Sequence, residues 1–190
     1  IPDESNAEWQ ASKNAFKIYL IFNHVGIMLL AAALLLLGLE AETFNFSALR
    51  DLAKNSSSPD TLPLGIRNLV FLLALAGLGI KAGLVPAHVW IALVHPHSPT
   101  NVHTILSGVA LKVAGIYGMY RIFLQFLTPV EWWWGCLLLL LAGLTALVGV
   151  FYALAGTDLK KTLASHSVEN IGIICAGLGL ALVYKSLGEG

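Results

Sequence analysis

Between Ile18 and Leu39 the chain reads IYLIFNHVGIMLLAAALLLLGL, without one charged side chain. A helix that crosses the hydrocarbon core of a bilayer needs about 20 mostly apolar residues. Inside lipid, backbone N–H and C=O groups must be satisfied within the protein, so the run is expected to form a spanning helix. Four more apolar stretches follow. One runs from about Ile66 to Leu93 with Lys81 in its middle, and Val102–Phe126 carries Lys112. Trp132–Ala155 is uncharged and opens on Trp132, Trp133 and Trp134, and about Leu163–Tyr184 holds His166 and Glu169 near its start. The expectation is an all-α helical bundle, a polytopic membrane protein with a single membrane domain of about five spans.

Composition agrees. Hydrophobic residues make up 57% of the chain and charged residues 12%, against roughly 25% charged in soluble domains. Eleven basic residues cancel eleven acidic ones, so net charge points to neither nucleic acid nor an acidic partner. The chain begins at Ile1 rather than Met, and no basic flank precedes a short apolar run, so no signal peptide is expected. It reads as an internal piece of a longer chain. Cys136 and Cys175 both fall inside apolar runs and read as small hydrophobes rather than a disulfide or metal pair.

The long connection Glu40–Gly65 contains FSALRDLAK (Phe46–Lys54), which suits a short interfacial helix. NSSSPDTLP (Asn55–Pro63) is rich in turn formers and reads as loop. Lys13 and Lys17 precede the first span, and Lys160 and Lys161 lie between the fourth and fifth. Alternating crossings put both pairs on one side, taken as cytoplasmic, which makes residues 40–65 an extracytoplasmic loop. Arg50, Lys54 and Arg67 count against that orientation.

Lys81 lies deep in its span, where an unpaired ammonium costs about 2.5–3.5 kcal/mol even on a lenient insertion scale. Gly79, Gly83 and Pro86 surround it, and each weakens a helix. The second span is therefore expected to be discontinuous, with Gly83 and Pro86 as helix-break residues and the freed backbone lining a hydrated cavity. Lys112 repeats the theme in mid-span, with Gly108 one turn before it and Ile116 one turn after. Burial disfavours the ammonium and a nearby carboxylate favours it, so a buried lysine whose partner moves can switch charge state. Two such lysines on consecutive spans suggest a relay. The alternative is that each snorkels to an interface or holds a structural salt bridge.

His88, His95, His97 and His103 surround the connection between the second and third spans. Histidine titrates near neutrality, so such a cluster can load or pass protons; polar loop and capping roles are the plainer reading. His-Pro-His also invites a metal reading, but no Cys or carboxylate lies nearby to complete a site. His24, beside Asn23 in the first span, is expected either to bond a neighbouring helix or to join a water path. His166 and Glu169, three apart, share a helical face. They belong either to a proton path or to helix N-terminal chemistry, with Ser167 as cap and Glu169 favoured by the helix dipole.

The run Lys81–Arg121 resembles the signature region of the antiporter-like subunits of respiratory complex I, a family related to cation/proton antiporter and membrane-bound hydrogenase subunits. Its frame is carried here by Lys81, Val85, Pro86, His88, Trp90, His95, Pro99, Thr100, Lys112, Tyr117, Gly118 and Arg121. SGVALKVAGIYG (Ser107–Gly118) and DLKKTLASHSVENIGII (Asp158–Ile174) resemble the branch of the large membrane subunits of formate hydrogenlyase and hydrogenase 4. The resemblance implies a fold of about fourteen spans with inverted repeats, of which this chain would hold the sixth to tenth. It implies that Lys81 pairs with a glutamate on the fifth span, which would lie outside this chain, and that Lys112 is the central relay lysine. One departure stands out: the family's Trp-Leu-Pro-acid-Ala-His is Trp90-Ile91-Ala92-Leu93-Val94-His95 here.

The function that follows is proton translocation by an antiporter-like subunit in a prokaryotic plasma membrane (the cell inner membrane). The relay residues would be Lys81, Lys112, His88, His95, His103, His166 and Glu169. Without a Cys motif for a metal cluster or a nucleotide loop, no cofactor is expected. Redox chemistry would then belong to peripheral partner subunits of a hydrogenase-type complex, with further membrane subunits and the lipid bilayer as the other partners. Two alternatives are sodium/proton exchange and a scaffold that anchors a hydrogenase without pumping. An enzyme acting on lipid or quinone lacks a nucleophile or carboxylate pair in the spans.

Overall fold

The apolar runs fold as helices for the reasons the sequence suggests: they are rich in Leu and Ala, and the first, fourth and fifth have no internal proline. The computed structural model describes residues 7–54, 63–98, 101, 105 and 113–188. Four helices within them are long and apolar enough to cross a membrane: α1 (Ala7–Glu40), α3 (Leu64–Ala82), α6 (Trp132–Ala155) and α7 (Leu159–Gly188). Between them lie α2 (Phe46–Lys54), α4 (Val89–His97) and the short α5 (Gly118–Arg121). The described elements include no β-strand. The first part of the third apolar run, with His103, Gly108 and Lys112, lies outside the described residues, as do Pro99 and Thr100.

At 34 residues α1 rises about 51 Å, well beyond a hydrocarbon core of about 30 Å. The interfacial segment is helical at Phe46–Lys54. Asn45 caps it, its Oδ1 accepting from the Ser47 N–H at 3.0 Å. Leu49 and Ala53, four apart, turn inward, and Phe46 stacks on Phe126 with ring centroids 5.6 Å apart. The last helix is capped by Asp158, whose Oδ1 accepts from the Lys160 N–H at 2.9 Å. Ser167 is therefore not an N-cap. It lies well inside α7 and its hydroxyl donates to the Leu163 carbonyl at 3.1 Å.

Lipid gives helices little hydrophobic reason to associate, so close approach at small residues does the packing. At the crossing of α1 and α3, a Cβ on Gly77 would stand 2.7 Å from the Gly26 carbonyl oxygen. Along α6 and α7, a Cβ on Gly172 would stand 2.5 Å from the Ala146 nitrogen. α3 is the most enclosed of the four long helices. Its Phe71 stacks on Trp134 of α6 at 4.8 Å and meets Phe123, just after α5, at 4.8 Å. All three rings are wholly buried.

Arg67, near the start of α3, is held in an ion pair. It is buried, and its guanidinium donates to Glu131 Oε1 at 3.1 Å and to the Pro129 carbonyl at 2.9 Å. Beside it, the Trp134 indole donates to Asn68 Oδ1 at 3.0 Å. Substituting Arg67→Gln should destabilise the fold by about 2 kcal/mol, below the usual loss for halving a buried ion pair because Glu131 keeps some solvent contact. Arg67→Lys should not restore it, since one ammonium lacks the planar fork that serves two acceptors. Thermal melting of the purified complex would measure both, and an unchanged midpoint for Arg67→Gln would rule the expectation out.

Candidate functional site

The second apolar run is interrupted near Lys81, as its glycines and proline suggest. α3 ends at Ala82, and Gly83 takes φ 87° and ψ 38°, the left-handed region that a Cβ disfavours. The N–H groups of Gly83 and Leu84 both turn back to the Gly79 carbonyl, at 2.8 and 2.9 Å. Pro86, without an N–H, lies in the same interruption, and helix resumes as α4 with the Ile91 N–H bonded to the His88 carbonyl at 2.9 Å.

Side chains from elsewhere satisfy the broken stretch. The Trp90 indole donates to the Ile80 carbonyl at 2.9 Å, one residue before Lys81. On the far side, the Val85 N–H donates to Thr145 Oγ1 of α6 at 3.0 Å. Lys81 itself occupies the last turn of α3, where the helix dipole favours a cation. It is partly exposed, and its ammonium makes no ion pair with a described residue.

The other candidates divide into groups. His88 opens onto a cavity of about 140 Å³ between α4, α6 and α7, with Gly149, Tyr152, Ser165 and Val168 among its walls. The His88 and Tyr152 rings are 6.2 Å apart, and His88 Nδ1 is buried. His95 is fully buried near the end of α4, where the Ser98 hydroxyl donates to its carbonyl at 2.9 Å. Lys160 reaches the Ser98 carbonyl at 3.4 Å, tying this end of α4 to the start of α7. His166 Nδ1 and Glu169 Oε2 are 2.8 Å apart. The backbone of Glu169 presses on Gly149, where a Cβ would stand 2.5 Å from its nitrogen. His24 bonds its own helix at the Leu20 carbonyl, 2.7 Å away, rather than a neighbouring helix. His103 and Lys112 lie outside the described residues, and Lys81 lines none of the cavities described.

Sequence reasoning passed over Thr145, Tyr152 and Ser165. A signal existed for the first: it is the sole threonine in the apolar run Trp132–Ala155.

Residues 4–187 match the family described as NADH:quinone oxidoreductase/Mrp antiporter, TM. The chain belongs to this family. Hydrogenase-4 component B of Escherichia coli K12 is 39% identical over 180 residues, which cover 94% of this chain and 25% of that protein. Formate hydrogenlyase subunit 3 of the same strain is 35% identical over 172 residues, covering 90% of this chain and 26% of that protein. The chain thus spans about a quarter of the length of these curated relatives. Among solved structures, the Mrp complex from Dietzia sp. DQ12-45-1b superposes with a TM-score of 0.74 at 26% identity, over 93% of this chain and 33% of that one. An archaeal membrane-bound sulfane sulfur reductase superposes with a TM-score of 0.76 at 24% identity, over 97% and 37%, a likeness of fold. The antiporter-like resemblance and the all-α polytopic membrane fold are thereby borne out.

Proposed function

We propose that this chain forms part of a proton-translocating subunit in a membrane-bound hydrogenase or NADH-dehydrogenase-like complex. Lys81 and Lys112 relay protons, and His88, His95, His103, His166 and Glu169 lie along the connecting water path. The observation that carries this reading is the interruption of α3 directly after Lys81. Backbone groups freed from a spanning helix are tolerated where they meet protein partners or line a hydrated cavity, and transporters place their ion sites at such breaks. A lysine there whose carboxylate partner, on another span of the complete subunit, can move would switch between charged and neutral as that partner approaches and withdraws.

The partners are further membrane subunits, peripheral redox subunits that carry out the electron transfer, and the lipid bilayer. The setting is the prokaryotic plasma membrane, the cell inner membrane, with Lys13, Lys17, Lys160 and Lys161 on the cytoplasmic side.

The test is Lys112→Ala in the complete complex, in membrane vesicles with a dye that reports internal pH. The complex should assemble and transfer electrons while translocation falls by about a hundredfold or more, the usual range for removing a proton-transfer group. A scaffold that anchors without pumping would translocate equally with and without Lys112. Likeness to the Mrp structure keeps sodium/proton exchange as a second reading. Translocation that requires sodium would favour it.

A further inference from the structure

We infer that Thr145 is a positioning residue for Lys81, its hydroxyl fixing the interrupted backbone after the lysine against α6. The inference rests on the reading of Lys81 as a proton carrier. Beyond Gly83 the chain has left the helix, so the Val85 N–H has no carbonyl of its own helix to meet. It donates to Thr145 Oγ1 at 3.0 Å. The hydroxyl has one proton, and that proton goes to the Leu141 carbonyl at 2.6 Å. Its lone pairs therefore face the break, and its direction is fixed. Thr145 is wholly buried, so solvent does not stand in for it.

The backbone is held on both sides of the lysine. The Ile80 carbonyl, just before Lys81, accepts from Trp90, and the Val85 N–H, just after the left-handed turn, donates to Thr145. The course of the chain around Lys81 is thus set by two side chains outside α3. α6 extends the effect. Gly149 follows Thr145 by one helical turn on the same face, and the backbone of Glu169 packs against it. One stripe of α6 therefore spaces the break from the turn that carries His166 and Glu169.

The experiment compares Thr145→Val, which keeps the shape and removes both bonds, with Thr145→Ser, which keeps the hydroxyl. Each is made in the complete complex, and ions translocated per electron pair are followed across a pH series in proteoliposomes. For Thr145→Val, normal assembly and electron transfer are expected, with translocation down by about tenfold or more, as small misplacements of a reacting group can cost. The pH midpoint of translocation should also move, because the surroundings of the lysine change. Thr145→Ser should restore both rate and midpoint. A Thr145→Val complex with the wild-type rate and midpoint overturns the inference. Should that variant fail to assemble, Thr145→Ala takes its place under the same criteria. Failure of both to assemble also overturns it, because Thr145 would then serve folding alone. A wild-type complex that moves no ions sinks the proton reading itself. An active wild type matched by Thr145→Val sinks only the role of Thr145.

Discussion

Substituting Gly172→Val is expected to keep α6 and α7 from closing on each other. A Cβ at this position would lie 2.5 Å from the Ala146 nitrogen and 2.8 Å from the Ala142 carbonyl oxygen. Both are backbone atoms of a helix, so no rotamer change relieves the contact. Overfilling a packed interior costs typically about 1–3 kcal/mol, and contact with rigid backbone belongs at the upper end or beyond. Against a total stability of about 5–15 kcal/mol, that is enough to deplete the assembled complex. Gly177 provides the internal control, since a Cβ there meets nothing within 4 Å. Native-gel yields should therefore be near wild type for Gly177→Ala and much reduced for Gly172→Val. Equal yields would mean that the two helices are not in the close contact described.

The second large effect concerns transport. Lys81→Gln should abolish ion movement while the complex still assembles, because Gln keeps a polar side chain at a partly exposed position in the last turn of α3. Lys81→Arg is the sharper variant. Arginine keeps the positive charge but does not release its proton in proteins. If Lys81 carries protons, Arg fails as completely as Gln. If Lys81 only places a charge at an interface, Arg substitutes for it. Dye-reported proton uptake into vesicles separates the two, and near-normal uptake by Lys81→Arg would remove the lysine from the relay.

Much of the fold was legible because in a membrane length and apolarity nearly dictate helix. The break near Lys81 was legible for a local reason: Gly79, Gly83 and Pro86 lie within a few residues of one another. What holds the break was not, since Thr145 lies 60 residues from Val85 along the chain. The setting of Arg67 was hidden for the same reason. Read locally it is a charge at the start of the second apolar run, and its partner Glu131 is 64 residues away. The cap of the last helix was not legible from Ser167. Asp158 caps the helix earlier and places Lys160 and Lys161 in its first turn.

Two π-helical turns, at 113–117 and Ile122–Phe126, bracket α5. Each holds one residue more than an α-helical turn would, and such insertions persist mostly where function keeps them. They let this segment carry an extra residue without changing the course of the chain on either side. Removing that residue would let the turn relax to ordinary α-helix with both flanks still in phase. Removing one from α5 instead would rotate everything on one side by about 100° relative to the other. Loss of a π-turn residue is therefore tolerated where loss from the helix between is not. Across relatives, the spacing between Gly115, which abuts Ala82 at the end of α3, and Phe126, which stacks on Phe46, should accordingly differ by the one residue of a gained or lost π-turn, with both contacts kept.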